Sequence, residues 1–323
     1  EVPKGPVKPR VVLNLALGVI LGLGLGIGIA FFQEYLDNTL KTPDEVETLL
    51  RLPSLGVLPA FSFDGAGKTA EGKLISLAPG KDKPIGPAIQ TDAGAVEAFR
   101  SLRTSILLSA TPVPKMLLIT SALPGEGKTT MTVNLGATLA SLGSKVLILD
   151  CDMRRPACHR STGVENKPGF VQCLTGHVEL QDAILSVPGV ANLSVIPCGP
   201  IPPNPAEVLS SPVAGELLGK LRAQFEYVIV DSPPLLSVAD SRILSTLTDA
   251  VVLVTRAYET PYEAVRRARS LLYSAGARIL GVALNDVDIH RDGYGYSYYY
   301  YRHGYDYASK DSSSEGAENG GKT

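Results

Sequence analysis

Residues 115–136 read KMLLITSALPGEGKTTMTVNLG. A short apolar run, KMLLIT (115–120), enters a loop made by Pro124, Gly125, Glu126 and Gly127, and Lys128-Thr129-Thr130 then opens a helical stretch. A strand, a glycine-containing loop and a helix start in that order turn backbone N–H groups and the positive end of a helix toward one point. The arrangement predicts a nucleotide site lined by Pro124, Gly125, Glu126, Gly127 and Thr130. Lys128 is expected to reach the β- and γ-phosphates, and the Thr129 hydroxyl to ligate Mg²⁺. One departure from the usual GxxxxGK[ST] spacing is Ala122, which stands where the first glycine is expected.

Working outward, further apolar runs repeat at KVLILD (145–150), LSVIP (193–197), YVIVD (227–231), AVVLVT (250–255) and ILGVALN (279–285). Amphipathic stretches separate most of them. That alternation predicts an α/β fold of the P-loop NTPase type, a mostly parallel sheet with helices on both faces, over residues 93–289. Two of the runs end in acids: Asp150 with Asp152 in KVLILDCDMRRP, and Asp231 in FEYVIVDSPP. Carboxyl ends of parallel strands line the ligand crevice, so these three carboxylates are expected beside the loop of Lys128. Phosphoryl transfer needs a held metal and a group that takes or positions the attacking oxygen. Asp152 and Asp231, with Thr129, are the candidate Mg²⁺ ligands, partly through water. The sequence leaves open whether Asp150 or Asp152 is the base. Arg154 follows within the same loop as a further candidate nucleotide ligand. Asn285, at the end of the last run, is placed to meet a base edge or to serve a turn.

Residues 11–32 form an uncharged apolar run broken by one polar residue, Asn14. At about 1.5 Å per residue it spans roughly 33 Å, enough to cross a bilayer core. Residues 1–10 before it are a proline-containing stub, and residues 33–92 after it read as a juxtamembrane segment and linker. Within that segment, TPDEVETLL starts with an N-cap, Thr42, and Pro43 at the first helical position, and leads into a strand or turn. Residues 62–92 are rich in Gly, Pro, Lys and Asp. Lys4, Lys8 and Arg10 would by the positive-inside rule place the N-terminus in the cytoplasm, but ATP is cytosolic. The nucleotide argument prevails, putting the stub outside, the α/β domain inside, and implying a domain upstream of Glu1.

A net charge of −2 gives no basis for a nucleic-acid surface. Four cysteines without a CxxC pair read as reduced structural thiols. The C-terminal residues 290–323 are expected to be disordered. They carry eight tyrosines between residues 294 and 307: Tyr294, Tyr296, Tyr298, Tyr299, Tyr300, Tyr301, Tyr305 and Tyr307.

In LILDCDMRRP, ALPGEGKT, VIVDSPP, EAFRSLRTS (97–105), PPNPAEVLSS (202–211) and the tyrosine cluster, the chain resembles the bacterial tyrosine kinases. Its span and the juxtamembrane DEVETLLRLPSLGVLP resemble the polysaccharide co-polymerases that carry a fused kinase of this kind. The resemblance implies an ATP- and Mg²⁺-dependent protein-tyrosine kinase of the bacterial inner membrane. Lys128, Asp150, Asp152 and Asp231 would be catalytic, and the eight tail tyrosines would be phosphorylated between subunits. Glu97, Arg100 and Arg103 would then join subunits into a ring, with the basic run through Arg266, Arg267 and Arg269 facing them across the interface. On the residues alone these are solvated helix faces. It also implies a cognate phosphatase and polysaccharide polymerisation and export proteins as partners. The related partitioning ATPases carry a lysine early in the loop where this chain has Leu123.

Overall fold

The structure is a computed structural model that describes residues 11–60 and 93–288; the stub, the linker and the tyrosine cluster lie outside these. The chain divides at Thr39 into two units. The first holds one helix, α1 (Val11–Leu36), whose Val12–Tyr35 stretch has a mean hydropathy of 2.4 and is long and apolar enough to cross a membrane. It extends past the expected end at residue 32.

The second unit begins at Leu40 and opens with α2 (Pro43–Leu50) and β1 (Ser54–Pro59). There follow α3 (Ala93–Leu108), β2 (Met116–Ser121), α4 (Lys128–Ala140), β3 (Val146–Asp150), α5 (Cys158–Thr162) and α6 (Phe170–Leu174). Next come β4 (Leu185–Ser186), β5 (Leu193–Ile196), α7 (Pro205–Leu209), α8 (Pro212–Gln224) and β6 (Tyr227–Asp231). The order ends with α9 (Asp240–Leu247), β7 (Ala250–Arg256), α10 (Tyr262–Ser274) and β8 (Ile279–Val287).

Among the described residues the strands form one eight-stranded sheet in the order β1-β8-β7-β2-β6-β3-β5-β4. All neighbours are parallel except β4 on β5. Both faces are covered, which is why the strands read as continuous apolar runs. Met116, Leu118, Val228, Val230, Val251 and Leu253 pack on one face with α2, α8, α9 and α10. Leu117, Ile119, Ile148, Ile229 and Val252 pack on the other with α3 and α4. Helix α4 sits close on the sheet because Gly136 has no side chain: a Cβ there would lie 3.0 Å from Ile148 Cγ1.

The expected domain boundary is corrected on its N-terminal side. Residues 43–59 are part of the sheet domain rather than a juxtamembrane appendage. Thr42 forms the capping box with Glu45, and Val46 and Leu50 of α2 are buried in the core. The strand β1 pairs in parallel with β8 and covers its edge. β1 thereby becomes the edge of the sheet, and its Gly56 and Pro59 limit the further pairing that an exposed edge strand invites.

Candidate active site

The order β7-β2-β6-β3 sets three strand ends side by side: β2 running into the glycine loop, β6 ending at Asp231 and β3 ending at Asp150. Asp150 and Asp231 are register partners across the β3–β6 ladder. All three sequence-predicted acids therefore meet at the crevice beside α4.

The loop is held from beneath. Ala122 is fully buried and does not adopt the positive φ that calls for glycine, so an alanine serves where a glycine was expected. Ser121 Oγ donates to the Leu123 carbonyl at 2.6 Å. The Glu126 carboxylate turns inward, accepting the Leu123 N–H at 2.6 Å and the Thr260 hydroxyl. Burial pushes the Glu126 carboxyl above its ordinary range, against these hydrogen bonds. Asn285 Nδ2 donates to the Glu126 carbonyl at 3.1 Å. Gly127 adopts φ 92°, and an added Cβ would fall 2.1 Å from Asn285 Nδ2. Pro124 and Gly125 are exposed at the loop tip, whereas Lys128 is 8% exposed and Thr130 half-buried. Gly127 caps α4 without a side chain, so the first amides of the helix point at the site unmasked.

Asp231, fully buried, accepts the Thr129 hydroxyl at 2.7 Å, the Thr132 hydroxyl at 3.2 Å and the Cys158 thiol at 3.4 Å. Burial pushes its carboxyl up to about 6 despite those bonds and nearby Lys128. Asp150, also fully buried, accepts N–H bonds from Asp152 at 3.2 Å, Ala157 at 3.1 Å and Cys158 at 3.0 Å. Burial first, then the Asp231 charge, hold its carboxyl well above the ordinary carboxylate range. Asp152 lies at the crevice surface, 8% exposed, and takes the Arg154 and Arg155 N–H groups at 3.2 and 2.9 Å. Three acids in one low-dielectric pocket repel one another, and a divalent cation is what relieves such a cluster. The donor set of hydroxyl and carboxylate oxygens suits Mg²⁺.

The family model described as an AAA domain matches residues 115–267. The tyrosine-protein kinase YwqD of Bacillus subtilis strain 168 is 38% identical over 190 residues, covering 58% of this chain and 80% of that protein. This chain belongs to the bacterial tyrosine-protein kinase family. The kinase domain of the Escherichia coli tyrosine kinase ETK superposes with a TM-score of 0.67 at 29% identity, covering 79% of this chain and 96% of that one. The tyrosine-protein kinase ptk of Acinetobacter johnsonii is 32% identical over 295 residues and 90% of this chain. The chain spans only 39% of the length of that longer relative.

Several expected ligands of this bacterial tyrosine-kinase domain are already engaged. Arg154 is tied to the fully buried Asp240 through Nε at 2.9 Å and a second nitrogen at 3.2 Å. The hydrogen bond to Asp240 pushes the Arg154 guanidinium further up. Asn285 lies within β8 rather than in a turn, and its side chain braces the glycine loop. Of the ring candidates, Arg100 pairs with Glu97 at 3.4 Å and Arg266 with Glu263 at 2.6 Å. Arg103 donates to the Thr138 carbonyl at 3.0 Å, and Arg269 to the Leu50 carbonyl. These last two anchor α3 and α10 to their own domain. Helices α3 and α10 lie on opposite faces of the sheet. Sequence reasoning missed Thr132, Cys158, Asp240 and Thr260. Thr132 stands three residues after Thr129, one helical turn away, and was legible from that spacing; the others reach the site only through tertiary contact.

Proposed function

We propose that this domain is an ATP- and Mg²⁺-dependent protein-tyrosine kinase that phosphorylates the tyrosine cluster at 294–307 on a neighbouring copy of the chain. The observation that carries this reading is the 2.7 Å bond between Thr129 and Asp231 at the head of the glycine loop, with Asp150 and Asp152 alongside. Thr129, Asp231 and Asp152 are the residues to hold the metal, which when bound neutralises phosphate charge and polarises the transferred group. Lys128 and the α4 amides hold the phosphates. Asp150 accepts three backbone N–H groups, which fixes the turn. Asp152, the least enclosed of the three carboxylates, would hold the metal through water and is assigned the phenol proton. Arg154, positioned by Asp240, lines the same rim.

The wider reading places α1 in the bacterial inner membrane with the sheet domain and tail in the cytoplasm. The ring would form through Glu97, Arg100 and Arg103 against Arg266, Arg267 and Arg269, and tail phosphorylation would set polysaccharide polymerisation and export, opposed by a cognate phosphatase. The test is incubation of the chain with ATP and Mg²⁺ followed by phosphotyrosine mapping. Phosphate on residues 294–307, absent from Lys128→Met, is the expected result. Lys128→Met mixed with an active chain lacking the tail should become labelled, which establishes transfer between chains. Release of free phosphate without phosphotyrosine would overturn the kinase reading.

A further inference from the structure

Asp150, Cys158 and Asp231 arrive from the end of β3, the first residue of α5 and the end of β6, and one ligand atom of each lies within 4.8 Å of the others. All three are fully buried. Mg²⁺ gives the thiol no role, because it is a hard cation that takes oxygen ligands in near-ideal octahedral geometry. A thiolate with carboxylates suits a softer, tetrahedral ion instead. With sulfur at about 2.3 Å and oxygen at about 2.0 Å, two ligands of such an ion stand about 3.5 Å apart. Cys158 Sγ and Asp231 Oδ2 stand 3.4 Å apart before any ion is considered. The Cys158 N–H bond to Asp150 Oδ2, at 3.0 Å, ties the second carboxylate to the same residue that carries the sulfur. Thr129 Oγ, 2.7 Å from that same Asp231 oxygen, marks the side that opens toward the glycine loop.

We propose that Asp150, Cys158 and Asp231 form a site for a thiophilic divalent cation, Zn²⁺ or Cd²⁺, whose occupation displaces the nucleotide's Mg²⁺ from Asp231. On binding, the Cys158 thiol releases its proton to solvent as the sulfur–metal bond forms, and a water completes the fourth position. The competitive half rests on Asp231 holding the nucleotide's metal, as proposed above; the binding half does not.

Both halves are read without measuring phosphoryl transfer. The full chain in detergent, free of nucleotide, is loaded with one equivalent of Zn²⁺ and examined by zinc-edge X-ray absorption. One sulfur at about 2.3 Å with oxygens completing the shell is expected. An all-oxygen shell, or two or more sulfurs, overturns the site. In parallel, Cd²⁺ titration should give a thiolate charge-transfer band that Cys158→Ser and Cys158→Ala both lose, with affinity falling at least about a hundredfold. Cys151→Ser and Cys198→Ser should keep the band, and its persistence in folded Cys158→Ser overturns the assignment. Excess MgADP should release the bound Cd²⁺; retention of Cd²⁺ with MgADP bound overturns the competition while leaving the kinase reading intact.

Discussion

At Asp231 one buried carboxylate takes hydroxyls from Thr129 and Thr132 of α4 and a thiol from α5, so it joins the phosphate loop to the sheet as well as facing the site. Asp231→Asn keeps the shape but removes the charge that a cation needs. We expect Mg²⁺-dependent ATP binding to weaken by about a hundredfold or more, as calorimetry would show, with the fold retained. Glu126 makes a different prediction. Its carboxyl is raised by burial, so the folded chain binds that proton more tightly than the unfolded chain does. The ionised form therefore opposes folding, and its contribution to stability grows as pH falls through the folded-state value toward the ordinary 4.5. Denaturant unfolding of the nucleotide-free chain between about pH 7 and about pH 4.5 should show this slope, to which the raised carboxyls of Asp231 and Asp150 also contribute, and Glu126→Gln should reduce it. An unchanged slope in the variant would remove Glu126 from the account. The glycine loop was legible from its own residues, but the inward turn of Glu126 was not. Its partners Thr260 and Asn285 lie more than a hundred residues away in the chain.

At the scale of elements, the central strands were legible because burial on both faces demands unbroken apolar runs, and β2, β3, β6 and β7 have them. The edge strand β1, SLGVLP, was read only as a strand or turn because its glycine and proline weaken a strand pattern. What fixes it is β8 beside it and α2 over α10, which no local signal announces. Two outcomes follow. Thr42→Ala breaks the capping box at Glu45 and should lower stability by about 1 kcal/mol, read as a shift in the denaturant midpoint. A chain starting at residue 61 uncovers the β8 edge and the apolar face of α10. It should unfold at a markedly lower temperature and self-associate in sedimentation velocity, relative to one starting at residue 40.

At the scale of the whole molecule, the chain combines a membrane-length helix, a nucleotide-type sheet domain and a tail of eight phenols against a net charge of −2. Each phosphotyrosine adds about −1.5 to −2, so full modification would add roughly −12 to −16 per chain. Tails gathered in a ring would then repel one another, and the phosphorylated assembly should sediment as smaller species than the unmodified one. Equal sedimentation of both forms would separate phosphorylation from assembly. The effect should shrink as salt is raised, since at 0.1 M exposed charges more than about 10 Å apart are largely screened.

By itself the sequence determined the elements whose physics is local or periodic. These are the apolar span, the strand–loop–helix of residues 115–136, the acids at strand ends and the alternation that makes a parallel sheet. The tertiary structure decided which of these features touch. It brought Asp150 and Asp231 into register across β3 and β6, and placed Cys158 between them. It spent Asn285 on the loop and tied Arg154 to Asp240. It also drew α2 and β1 into the domain. Hydrogen-bond partners far apart in the chain are chosen by the crossing of strands and helices, and spacing along the chain carries no record of that choice.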